Sequence, residues 1–310
     1  MRTFSTIEKA TEYVGTLPWG TAAGTSRDPR MILKYAQAGA KIVGHGSNTW
    51  ESRAGDPNNF FYCTRSGNSG NALRLPNRSL RAYIPELKQL KKDVNAAGAE
   101  LAVSFSAGDT FIAREYEDAM RILFEEEAAD LGEANGSCPN VKTAAGKLKP
   151  AVCYDIGAYT ELVAATRAGA GKNRIIIKWA PIPDPGFQEA LVEAGKPYDP
   201  DYLELANTVA GCYFEDERGN PGLASVRGGG AGAMLDPIIC GMILGVKPML
   251  DGTGTKLIAT GGVRNGKTAH DRLKLGADGF RFNTELYRRD GDPAVVTDIG
   301  ADLARHLVHA

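Results

Sequence analysis

"RIIIKWA" (residues 174–180) is an uninterrupted apolar run with a single lysine, Lys178, near its end. A strand buried on one face alternates apolar and polar side chains. A run that does not alternate reads as a strand covered on both faces, as in a parallel sheet sheathed by helices. Runs of the same kind recur on both sides of it: "TAAGT" (21–25), "KIVGHG" (41–46), "ELAVSFS" (100–106), "EAN" (133–135), "YLELANT" (202–208), "KLIATGG" (256–262) and "GFRFNT" (279–284). Between them lie helical patterns at 28–40, 113–132, near 155–168, near 187–194, at 234–244, near 266–275 and near 292–307. The first opens on Asp28 and Pro29, a favourable helix start. About eight strand–helix alternations in 310 residues predict an α/β fold of the (β/α)8 barrel type, a TIM barrel. An open doubly wound sheet is the alternative, weakened because no G-x-G-x-x-G turn follows the first strand. The expected organisation is one barrel domain over 1–310, with a turn-rich cap insertion at about 47–99 after the second strand.

Composition narrows the function classes. The formal net charge of -1 gives no reason to expect nucleic acid or an anionic membrane as partner. The five cysteines (63, 138, 153, 212 and 240) are odd in number and form no CxxC pair, which argues against a disulfide framework and against zinc or iron–sulfur sites. The N-terminus lacks a signal-like apolar core, and no run reaches the ~18 apolar residues of a membrane span. The expectation is a reduced, cytoplasmic protein acting on a small molecule, with no metal.

In such a barrel, chemistry gathers where strands run out into the following loops. That rule selects Ala22, Ala23, Gly24, His45, Ser47, Asn135, Cys138, Lys178, Asn207, Thr208, Gly261, Gly262, Asn283 and Thr284. The set is polar but nearly free of carboxylates, which disfavours two-carboxylate glycosidase chemistry and metal-assisted hydrolysis. "RGGGAG" (227–232) and "TGGVRNG" (260–266) each run into a helix, an arrangement suited to holding a phosphate on backbone N–H groups. Lys178 at a barrel mouth needs an anionic partner: a carboxylate, or a group that gains negative charge during reaction. Cys138, in "NGSCPN" (135–140), reads from composition alone either as a small buried thiol or as a group that moves a proton.

The ordered series "NGSCPNV", "IIIKWAP", "LANT", "RGGGAGAMLDP", "IATGGVRNGKTA" and "NTELYRR" resembles the dihydroorotate dehydrogenases, FMN-dependent barrels of pyrimidine biosynthesis, over roughly residues 20–290. The resemblance implies oxidation of dihydroorotate to orotate, with Cys138 as general base, as in the soluble class 1, and hydride transfer to flavin N5. It implies flavin contacts from Ala22, Ala23, Gly24, Asn135 and Lys178, and a phosphate clamp of Gly229, Gly232, Gly261, Gly262, Asn283 and Thr284. It implies substrate contacts from Asn71, Asn77, Asn135, Asn140, Asn207 and Thr208. A homodimer is expected, with an electron-transfer partner subunit as one route to the acceptor; fumarate, quinone and NAD acceptors all occur around the family.

Three positions depart from the family pattern. A lysine expected just after the second strand is missing from "VGHGSNTWE" (43–51); His45 or Gly46 stands in its place. His45 is read either as a replacement donor at the flavin or as a scaffold histidine. Arg74, in "NALRLPN", replaces a glycine and either supplies the missing cation to a substrate carboxylate or reshapes the pocket. Asn283 also replaces a glycine, and is expected to tolerate the positive φ a glycine would adopt. A related flavin oxidoreductase acting on another dihydropyrimidine or unsaturated cyclic substrate, or a non-catalytic phosphate- or flavin-binding barrel, are the alternatives these departures leave.

Overall fold

A computed structural model describes residues 2–55, 61–108, 110–138 and 150–308. Its strands, in chain order, are β1 (Trp19–Thr21), β2 (Ile42–Asn48), β3 (Phe61–Cys63), β4 (Asn68–Asn71), β5 (Glu100–Phe105) and β6 (Leu131–Asn135). They continue with β7 (Arg174–Lys178), β8 (Tyr202–Leu205), β9 (Val209–Tyr213), β10 (Arg227–Gly232), β11 (Lys256–Thr260) and β12 (Gly279–Phe282). The helices are α1 (Ile7–Val14), α2 (Pro29–Gln37), α3 (Leu80–Ala96), α4 (Ala113–Glu125) and α5 (Ile156–Ala170), then α6 (Pro185–Gly195), α7 (Asp236–Met249), α8 (Gly266–Lys274), α9 (Thr284–Arg288) and α10 (Ala294–Val308).

Eight parallel strands close in the order β1-β12-β11-β8-β7-β6-β5-β2. The expected (β/α)8 barrel is therefore the observed fold. The apolar runs are strands because both of their faces are covered: Ile175 and Ile177 face the helices while Ile176 joins Ile42, Leu131, Tyr202 and Ile258 in an inner layer. Helix starts follow their caps. Asp28 accepts from Arg30 N at 3.0 Å ahead of Pro29, and Asp184 accepts from Phe187 N at 2.8 Å ahead of Pro185.

Three differences from the sequence reading have physical causes in the structure. The first strand ends at Thr21, and "AAGT" turns away instead, with Thr25 N bonded to Ala22 O at 3.3 Å and Gly24 at φ 98°. Residues 80–96 are a barrel helix, α3, packed against β5, so the insertion after β2 is shorter than 47–99. "RGGGAG" is the strand β10 and not a phosphate-holding loop. It pairs antiparallel with β4 and β9 in a four-stranded cap sheet, β3-β4-β10-β9, to which the loops after β2 and β8 both contribute. Glycine has little intrinsic preference for strands. Here it is required by close approach: a Cβ on Gly228 would lie 2.3 Å from Asn71 O, and one on Gly232 2.2 Å from Gly67 O.

Candidate active site

Between the cap sheet and the C-terminal ends of the barrel strands lie two adjoining cavities. One is floored by Lys178, Thr260 and Phe282 and walled by Ala22, Gly261 and Gly262. The other reaches Gly24, Arg27, Ser47, Arg74, Asn135 and Cys138. Ala23, Asn71, Asn207, Thr208 and Asn283 line both, so the two form one continuous site. The mixed polar and apolar lining suits a cofactor beside a small substrate.

An amide network organises the second cavity. Asn135 Oδ1 accepts from Ser137 Oγ at 2.7 Å and Ser137 N at 3.1 Å, while its Nδ2 donates to Ser47 Oγ at 2.8 Å. Asn207 Nδ2 donates to Ser137 Oγ at 3.0 Å, and Asn207 Oδ1 accepts from Thr208 N at 2.8 Å. Tyr116 locks the strand end from behind, donating to Asn135 O at 3.1 Å and accepting from Ala107 N at 3.0 Å. Cys138 follows this network at the mouth of β6, half-buried against the cavity. Buried Cys153 is a different kind of thiol. Burial pushes it up to about 11, and its sulfur accepts from Ala180 N at 3.3 Å, so it is a packing residue.

Ala22, Ala23, Gly24, Asn71, Arg74, Lys178, Thr208, Gly261, Gly262, Asn283 and Thr284 fall where the sequence placed them, at the cavity surface. Asn140 lies outside the described residues. Four other expectations are not met. Asn77 does not line either cavity; its Nδ2 bonds Thr49 Oγ1 and Leu75 O, both at 2.8 Å, and its Oδ1 takes Ser79 N at 2.9 Å, so its amide is spent holding the cap loop. Gly229 and Gly232 serve the cap sheet, and Ala231 alone of that strand reaches the cavity. His45 is wholly buried against Tyr83 of α3, ring centroids 4.8 Å apart, and accepts from Asn48 Nδ2 at 3.2 Å. Burial, helped by the Arg27 and Arg78 charges, drives its pKa down to about 3, so it is neutral and supplies no cation. The register of β2 shifts between His45 and Asn48, and Ser47 turns to the cavity instead.

Asn283 does not use a positive φ; it sits at -146°. Positive φ belongs to Gly261 (104°) and Gly262 (75°), where a Cβ on Gly262 would meet Asp236 Oδ1 at 2.2 Å. That carboxylate is braced between Arg264 Nη2, at 2.6 Å, and Arg272. Arg264 Nε and Arg272 Nη2 in turn donate to Gly262 O and Gly261 O, each at 3.3 Å. The N-terminus of α8 is closed by its own capping box, Asn265 with Thr268, so the glycine pair, not that helix end, faces the cavity.

Sequence reasoning missed Arg27. It lies in the turn after β1, lines the Cys138 cavity, and donates through Nη2 to Ser47 O at 3.2 Å; its buried Nε has no partner among the described residues. Burial lowers its pKa, opposed by Tyr83, Tyr287 and Cys138. Among the described residues no carboxylate pairs with it and none lines this cavity. A guanidinium desolvated without a carboxylate suits an anionic ligand group. Gly46 cannot regain a side chain in this backbone, since φ is 115° and a Cβ would lie 2.6 Å from Ser104 O.

Thr208 Oγ1 and Asn283 Oδ1 are buried, line the first cavity and lack partners among the described residues. Such unpaired groups, a lysine on the floor and a glycine-walled end fit a flavin cofactor. Among the described residues no cluster of His, Cys, Asp or Glu could hold a metal ion, and no helix is long and apolar enough to cross a membrane.

The family model for dihydroorotate dehydrogenase matches residues 11–307. A relative from Bacteroides thetaiotaomicron, named dihydroorotate dehydrogenase B (NAD(+)), catalytic subunit, is 28% identical over 94% of this chain and 89% of its own. One of the same name from Geobacter sp. (strain M21) is 30% identical over 82% of this chain and 77% of its own. A putative dihydroorotate dehydrogenase A (fumarate) from Streptococcus agalactiae is 25% identical over 85% and 80%. The crystal structure of DHODH from Eimeria tenella in complex with ferulenol superposes with a TM-score of 0.78 at 18% identity, covering 94% of this chain and 81% of that one; it bears on the fold alone.

Proposed function

The chain belongs to the dihydroorotate dehydrogenase family of flavin-dependent oxidoreductases acting on CH–CH donors, and from that premise we propose that it binds FMN and oxidises dihydroorotate to orotate with Cys138 as general base. The observation that carries this reading is the shared cavity: Cys138 and the amides of Asn71, Asn135 and Asn207 border one space that opens onto the glycine-walled, lysine-floored cavity.

The flavin, when bound, supplies the hydride acceptor. The rest falls to side chains of this chain. Asparagine amides suit a pyrimidine because each both donates and accepts. Arg27 is the cation for the substrate carboxylate, in place of the lysine absent after β2, and Arg74 borders the same mouth. Cys138 takes the C5 proton onto Sγ from the side of the ring away from the cofactor. Ser47 and Ser137 hold Asn135 and Asn207 in register, and the cap sheet covers the site from water. Electrons leave by a route the names of the relatives suggest, a partner subunit delivering to NAD or a direct acceptor such as fumarate; a homodimer is part of the same proposal.

The test is the anaerobic half-reaction of Cys138→Ala and Cys138→Ser followed by stopped flow. Both variants are expected to retain flavin, with reduction slowed at least ~100-fold in the alanine form, the range of general-base contributions. Reduction of Cys138→Ala at the wild-type rate would remove Cys138 from the mechanism.

A second reading is favoured by Arg74, which brings a further guanidinium to the mouth where the family pattern has glycine. In it the substrate is another dihydropyrimidine or unsaturated cyclic amide bearing an anionic group. A panel of such compounds, scored by flavin bleaching, separates the two.

A further inference from the structure

Four charged side chains meet inside the barrel, immediately below the cavity floor. Lys178 Nζ lies 2.8 Å from Glu204 Oε1 and 3.7 Å from Glu133 Oε1. Arg281 Nη1 donates to Glu133 Oε2 at 2.6 Å and also to Glu204 Oε2, while its Nε donates to Thr21 O at 3.0 Å. Lys178 is 4% exposed and the other three 0%. Of the four, only Lys178 lines the cavity.

Stability alone does not call for this group. Burying ions costs roughly what their pairing returns, and branched apolar residues ordinarily fill barrel interiors. The adjacent interior layer of this barrel, with Ile42, Leu131, Ile176 and Ile258, is filled in that way. The quartet also sums to zero charge. Burial acts to raise the Glu204 pKa, but the Arg281 and Lys178 charges outweigh it and hold it down to about 2, so the carboxylate stays ionised. A bare ammonium on the cavity floor, in a site shielded from water, would strongly favour negative charge above it. With a carboxylate at 2.8 Å, most of that field is cancelled.

We propose that Glu204 is a positioning residue that fixes Lys178 at the cavity floor and, by neutralising it, lowers the reduction potential of the flavin bound above. The inference rests on the reading that this cavity holds a flavin. It adds that the chain tunes that flavin toward giving electrons up, through a carboxylate that touches neither cofactor nor substrate.

The experiment is an anaerobic, dye-equilibrated potential titration of the flavin-loaded protein. Glu204→Gln preserves shape and removes charge, and is expected to shift the midpoint upward. Glu204→Asp keeps the charge and is expected to stay close to wild type. A wild-type midpoint in Glu204→Gln, or an equal shift in Glu204→Asp, overturns the proposal. Should Glu204→Gln not fold, Lys178→Gln leaves the buried group with one negative charge in excess and is expected to shift the midpoint downward; no shift, or an upward one, overturns it. A wild-type protein that takes up no flavin overturns the underlying reading as well, whereas a flavin-loaded variant with an unmoved potential overturns only this inference.

Discussion

Arg27→Met separates the anion-binding role of this side chain from any part in holding the fold. In the structure the guanidinium makes one hydrogen bond, to Ser47 O at 3.2 Å, and no ion pair among the described residues. Losing that bond costs about 1 kcal/mol, and relief of the buried charge offsets part of it. The melting temperature should therefore fall by no more than a few degrees. Binding should respond very differently. A hydrogen bond from a charged group to a substrate carboxylate is worth about 1.5–3 kcal/mol, and each 1.4 kcal/mol is a factor of ten, so affinity for orotate should drop about 10- to 100-fold. The assay is titration of orotate into the flavin-loaded protein, read by perturbation of the flavin spectrum, beside thermal unfolding of the same samples. Orotate binding at wild-type affinity would refute the assignment of Arg27 to the carboxylate. Collapse of the melting temperature would show that the charge is structural.

Two further outcomes follow from the same geometry. Gly262→Ala places a Cβ 2.2 Å from Asp236 Oδ1 at a φ of 75°, so it should cost about 1–3 kcal/mol in urea unfolding and weaken flavin retention on dialysis; unchanged retention would place the phosphate elsewhere. His45 titrates at about 3 in the fold against an ordinary 6.5, so the unfolded chain takes the proton first. Stability fully present above pH 6.5 is then lost as the pH falls toward 3, by up to about 1.4 kcal/mol per unit. His45→Phe should flatten the urea midpoint between pH 6.5 and 5, and an unchanged slope would show that His45 is not the group responsible.

The barrel was legible because buried parallel strands announce themselves as unalternating apolar runs, and because Asp28–Pro29 marks a helix start in local chemistry. Lys178, Gly261 and Gly262 were legible for the related reason that they end such runs. What failed was non-local. The glycines of β10 form a strand between β9 and β4, the latter about 160 residues away in the chain, and nothing within "RGGGAG" specifies that distant partner. His45, read either as a flavin donor or as a scaffold histidine, is the buried scaffold residue, because the register shift after it in β2 turns Ser47 to the cavity instead. Asn77 carries the right chemistry, but its hydrogen bonds are consumed within the cap. Arg27 stands three residues beyond Gly24, in the same loop that the strand-end rule selected, and extending that rule along the turn would have found it. The buried quartet left a fainter sign: single charges, Glu133, Glu204 and Arg281, each set inside an otherwise apolar strand.

The most direct measurement is the visible spectrum of the purified protein before and after dihydroorotate is added without oxygen. The account predicts a yellow protein whose flavin bleaches within seconds to minutes, with orotate formed in equal amount to the flavin reduced. A protein that binds flavin and stays yellow would contradict dihydroorotate as substrate, leaving the fold and cofactor site in place and the carboxylate-facing guanidinium of Arg27 in need of another anion.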